Sequence, residues 1–161
     1  YMGKILARFL VTVGMGFCLV QLVQAHHSFV AVDRDVERLI VGTVARWTFN
    51  NPHSWLYLDV ENEDGTTTLW SFEGSGVISL LRKRITGDTF QPGDRVTFMY
   101  CPLKDGRPGG HLGWAQLDDG SFIDPSDGGC AGDEETIDRW KGWLEQGFTS
   151  KAEAEAAGVV L

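Results

Sequence analysis

Four histidines are the residues best suited to chemistry in this 161-residue chain. His26 and His27 are adjacent, His53 sits in the turn "NNPHSW", and His111 follows the Gly-rich "KDGRPGG". Imidazole is the commonest metal ligand, and a nitrogen-rich, planar donor set suits Cu(II). A chain cut just before His26 would add a free amine to that nitrogen count. His27 does not turn back easily onto the metal edge used by His26, so the expected set is His26, His27 and His53, the last reaching in from a barrel mouth. The plainer alternative is a solvated terminal pair and a His53 that hydrogen-bonds within its own turn. His111 is expected to be structural. No HExxH or zinc-finger spacing occurs, and the two cysteines outside the opening segment are too few for a thiolate zinc site.

Nucleophilic and phosphate chemistry find no support. There is no GxSxG and no Cys–His pair with a free thiol, and "GRPGGHLG" lacks the helix and lysine of a phosphate loop. The expectation is a binding protein, not an enzyme. Its ligand or partner face is expected around the "NNPH" turn, from Trp47, Asn51, Trp55, Tyr57, Trp70 and Glu73. Aromatic rings there would stack on flat ligands or partner side chains, unless they fill the core instead.

Charge narrows the partners. The formal net charge is −8, and −10 without Lys4 and Arg8 of the opening segment. So acidic a surface repels phosphate backbones and anionic headgroups, which excludes nucleic acid as a partner. Another exported or membrane protein remains compatible.

Residues 1–25 have a basic start, an apolar centre from Phe9 to Val23 and a small-residue exit. Val23 and Ala25 satisfy signal peptidase at −3 and −1, giving a cut between Ala25 and His26. The alternative is an uncleaved inner-membrane anchor, for which the apolar run is short. Either way the body is expected in the periplasm, where Cys101 and Cys130 can form a disulfide.

The elements that must position these residues read as strands first. "LIVGTVARWTF" (39–49), "SWLYLDVE" (54–61) and "TTTLWSFE" (66–73) alternate with period two, with the hairpin signal "NEDG" between the last pair. In the first, Val41, Thr43, Ala45 and Trp47 share a side. "SGVISLLRKRIT" (75–86) changes to helical spacing, through Val77, Leu80, Leu81 and Ile85. "RVTFMYC" (95–101) and "HLGWAQL" (111–117) return to strands. Three strands, a helix and two strands are the order of an OB-fold, a five-stranded Greek-key barrel. The expected organisation is therefore 1–25 leader or anchor, 26–125 OB-like barrel, and 126–161 linker plus helical tail. In that tail "DEETIDRWKGWLEQG" (133–147) has acids in its first turn, and "SKAEAEAAG" (150–158) opens with a capping box.

"AHHSF", "GTVARWTFNNPHSW", "LWSFE", "SLLRKRIT", "QPGDRVTF" and "KDGRPGG", in that order, resemble a widespread family of exported bacterial proteins of unknown function. The resemblance spans about residues 25 to 124. It implies a periplasmic address and directs attention to His26, His27 and His53, without supplying an activity. The expected function is an exported, non-catalytic binding or accessory protein that takes copper through those histidines. The alternative is a membrane-anchored accessory subunit that docks on a membrane-associated enzyme complex through its aromatic face and helical tail.

Overall fold

A computed structural model describes residues 28–130 and 133–159. His26, His27 and the expected cut site lie outside the described residues. The chain divides into two compact units, Tyr1–Ala31 and Val32–Leu161. Of the first, the described part is the short helix α1 (Ser28–Ala31). No helix among the described residues is long and apolar enough to cross a membrane.

The second unit is the barrel and its tail. Strands β1 (Arg38–Thr48), β2 (Ser54–Glu61) and β3 (Thr67–Gly74) form an antiparallel meander. Helix α2 (Val77–Arg82) follows, then β4 (Arg95–Pro102) and β5 (Gly109–Gln116). β4 returns beside β1, β5 lies beside β4, and a parallel pairing of β3 with β5 closes a five-stranded mixed barrel. A sixth strand, β6 (Phe122–Ile123), extends the sheet from β5. The OB-like order read from the sequence is the order the chain adopts.

Period-two alternation builds the interior. Leu56 and Leu58 of β2, Phe72 of β3, Phe98 and Tyr100 of β4 and Leu112 of β5 all face one buried cluster. Phe72 and Phe98 meet edge to face with ring centres 4.6 Å apart, a geometry that the ring quadrupoles favour. β1 buries Ile40 and Val44 and leaves Val41 outside, so the side that Val41 begins is not the interior one. A register shift between Val44 and Arg46 then changes the phase, and Trp47 packs partly on the same core. The helix is also shorter than its apolar spacing predicts. It ends at Arg82, Arg84 takes a positive φ of 62°, and Ile85 donates its N–H to Leu80 O. That stop buries Leu80 and Ile85 but leaves Leu81 exposed.

Closure depends on two small residues. A Cβ at Gly109 would lie 2.5 Å from Ser71 O of β3, and one at Gly110 would overlap Cys101 O of β4. Only glycines let β5 wedge between those strands at this point.

A second core covers the outside of β4 and β5. It joins Met99, Cys101 and Trp114 to Trp140 and Trp143 of α3 (Glu134–Glu145) and Ala154 of α4 (Lys151–Ala156). Both helices are capped locally. Asp133 accepts from Thr136 N, and Ser150 and Glu153 form a capping box. Buried Glu37 anchors the tail by accepting from Trp140 Nε1 at 2.8 Å and Arg139 Nη2 at 2.9 Å. The Cys101–Cys130 disulfide expected from the sequence joins β4 to the segment preceding the tail.

That bond closes a loop across a sequence separation of 29 residues. In a Cys130→Ser variant we expect unfolding stability to fall by about 3 to 4 kcal/mol, the loop-entropy value for this length. Urea denaturation of the variant against the oxidised protein measures it, and a loss under about 1 kcal/mol would contradict the assigned role of the bond.

Candidate metal centre

Barrel closure assembles a polar cluster on the outer wall. Glu73 is one residue from the end of β3, where it pairs across the sheet with Trp55 and, through the parallel closure, with His111. Its neighbour Phe72 points into the barrel, so alternation turns Glu73 outward. His111 pairs on its other side with Cys101. His53 is held one residue before β2 by the "NNPH" turn, whose Asn51–Pro52 peptide is cis. Asn51 contributes to that turn's placement: its Oδ1 accepts from Val77 N and ties the turn to the start of α2.

The last member, Asp127, comes from the segment after β6. This segment is fixed at several points. Ser75 N donates to Pro125 O, Ser75 Oγ to Ser126 O, Lys83 Nζ to Asp124 Oδ2 and Arg34 Nη2 to Gly128 O. The disulfide at Cys130 holds its far end.

The result is two carboxylates between two imidazoles. His53 Nδ1 lies 3.1 Å from Glu73 Oε1 and 3.7 Å from Asp127 Oδ2. His111 Nε2 lies 3.5 Å from Glu73 Oε2, and its Nδ1 lies 3.5 Å from Asp127 Oδ1. The side chains of Glu73 and Asp127 are 9% and 7% exposed, whereas that of His53 is 34% exposed. One ligand atom from each of His53, Glu73 and Asp127 can be chosen so that all lie within 4.8 Å of one another. His53 Nδ1 and Asp127 Oδ2 are buried, yet neither lines up with a hydrogen-bond partner. Leaving such atoms unsatisfied costs roughly 1 to 3 kcal/mol each, so their convergence is the unusual feature of the site.

Electrostatics bind the cluster together. Burial disfavours the charged form of His111, but hydrogen bonds and charge from Asp127 and Glu73 outweigh it and push its pKa from 6.5 up to about 9. Burial likewise raises Asp127. Hydrogen bonds from His111 and Gly129 N, with the charges of His111 and His53, more than reverse this and hold its carboxyl below the usual 3.8.

The six residues expected to form one ligand or partner face divide. Glu73 is in the cluster, and Trp55 is its cross-strand neighbour. Trp47 and Trp70 lie partly buried against the barrel core, where Trp70 stacks on Phe72. Tyr57 carries Arg46 over its ring at 4.0 Å. Asn51 serves the turn. Sequence reasoning had no role for Asp127 and assigned His111 only a structural one. A signal for both was present: the expected Cys101–Cys130 bond carries Asp127 to β4, and β4 pairs with the strand holding His111.

Fold and site together define an OB-like barrel with a buried histidine–carboxylate cluster on its outer wall. Residues 16–112 match a family of unknown function (DUF6152), and the chain belongs to that family. His53, Glu73 and His111 fall within the matched region, whereas Asp127 and Cys130 lie beyond it. Neither a curated protein nor a solved structure matches the chain.

The charge balance gives the protein a defined pH response. A histidine with a raised folded pKa contributes stability that is complete below about 6.5 and lost as pH rises through about 9. Asp127, lowered from 3.8, contributes stability that is present above that value and lost as pH falls through its folded pKa. We expect chelator-treated protein to melt at a constant temperature between about pH 4.5 and 6 and progressively lower up to pH 9.5. The alkaline decline should shrink in His111→Gln, and an identical decline in that variant would assign it to other groups.

Proposed function

We propose that this chain is an exported, non-catalytic binding protein whose ligand is a divalent first-row transition-metal ion, held by His53 Nδ1, Glu73 and Asp127. The observation that carries this reading is the convergence of ligand atoms from His53, Glu73 and Asp127, with His53 Nδ1 and Asp127 Oδ2 buried and without a hydrogen bond. One imidazole and two carboxylates form a borderline-hard donor set that suits Cu(II), Zn(II) and Fe(II), and contains no sulfur to favour Cu(I). Cu(II) heads the affinity order for such nitrogen and oxygen ligands. His26 and His27 would add nitrogen and strengthen that preference. Periplasmic residence is supported by the leader pattern of residues 1–25 and by the Cys101–Cys130 bond, which needs an oxidising compartment to persist.

The second reading is an accessory subunit, anchored by residues 1–25 and docked on a membrane-associated enzyme. The tail offers it less aromatic surface than its sequence suggests, since Trp140 and Trp143 are spent on the second core. Ile78 and Leu81, 65% and 51% exposed on α2, favour it as an apolar contact.

Titration of the full chain with Cu(II) and Zn(II) should show one barrel site of micromolar affinity or tighter, and a metal-dependent rise in melting temperature. His53→Ala and Asp127→Asn should each weaken that site at least tenfold, whereas replacing His26 and His27 together reports their share. A folded chain that binds neither ion below about 1 mM would refute the metal reading.

A further inference from the structure

We propose that His111 is a positioning residue for this centre, not its fourth ligand: it grips one oxygen of each carboxylate so that the other oxygen of each is presented beside His53 Nδ1. This inference rests on the metal reading. The pairing is distributed atom by atom. Glu73 turns Oε1 toward His53 and Oε2 toward His111. Asp127 turns Oδ2 toward His53 and Oδ1 toward His111. Both ring nitrogens of His111 thus face carboxylate oxygens, and either could join a metal only by giving one up.

The ring has little freedom to do so. His111 is 2% exposed and held within β5, paired to Glu73 on one side and Cys101 on the other. Behind it, a Cβ at Gly129 would overlap His111 Nδ1 and come within 2.8 Å of Asp127 Oδ1, so the segment carrying Asp127 closes directly onto the ring. Gly129 N also donates to Asp127 Oδ1 at 2.8 Å, on the same oxygen that faces His111. Oδ1 is therefore hydrogen-bonded by Gly129 N and lies 3.5 Å from His111 Nδ1, while Oδ2 lacks a hydrogen bond. A carboxylate with one oxygen tied and one available is how outer partners orient metal ligands, and loss of such a partner weakens binding about 10- to 100-fold without changing the ligand set.

The test uses the full chain with His26 and His27 replaced by alanine, so that only barrel imidazoles remain to report. Pulsed EPR of the Cu(II)-loaded protein should show one coordinated imidazole, lost in His53→Ala and retained in His111→Gln. His111→Gln should keep one-to-one stoichiometry and bind Zn(II) about 10- to 100-fold more weakly. Two coordinated imidazoles, or unchanged Zn(II) affinity in a folded His111→Gln, overturn the positioning role while leaving the metal reading in place. If His111→Gln does not fold, the imidazole count with an intact His111 decides the question. A chain that binds neither ion overturns the metal reading and this role together.

Discussion

The parallel pairing of β3 with β5 is the constraint on which the site depends. Antiparallel neighbours come almost free from short turns, but a parallel contact joins strands distant in sequence and must be built by the whole barrel. Here it aligns Glu73 with His111 and leaves no room for side chains at the crossing, hence glycine at positions 109 and 110. The same crossing fixes which face each residue occupies. Phe72 and Leu112 complete the interior, and their neighbours Glu73 and His111 are turned together onto the outer wall.

Burying two carboxylates there would be costly without compensation, since isolated charges are expensive to remove from water. Compensation comes from imidazoles and backbone, with His111 between the acids and Gly129 N on Asp127. The segment that brings Asp127 has almost no regular structure, and its order comes from the hydrogen bonds of Ser75, Lys83 and Arg34 and from the covalent staple at Cys130. Disulfide and site are parts of one construction, because Cys101 is the strand partner of His111.

The tail serves the outer wall formed by β4 and β5. A small barrel has limited interior volume, and this one adds a second apolar layer by covering β4 and β5 with Trp140 and Trp143. Glu37 makes that docking specific by satisfying the Trp140 indole N–H and the Arg139 guanidinium from β1's approach. The start of α4, only six residues long, is pinned by backbone bonds from Leu39 N to Thr149 O and from Lys151 N to Glu37 O, and its capping box and buried Ala154 complete the placement.

Local signals in the chain were enough for the element order, the OB-like barrel, the capping box at Ser150 and the pairing of Cys101 with Cys130. Periodicity, turn residues and caps act over a few neighbours, and an even pair of cysteines leaves one pairing. His53 and Glu73 were also identifiable, as an imidazole in a tight turn and an acid at a strand end. Which face of β1 would be buried was not, because a bulge at Ala45 changes the phase and both faces of that strand carry apolar residues. Nor was the convergence of His53, Glu73, His111 and Asp127. They lie on four separate stretches of chain, and only barrel closure and the stapled segment reduce those separations to a few ångströms.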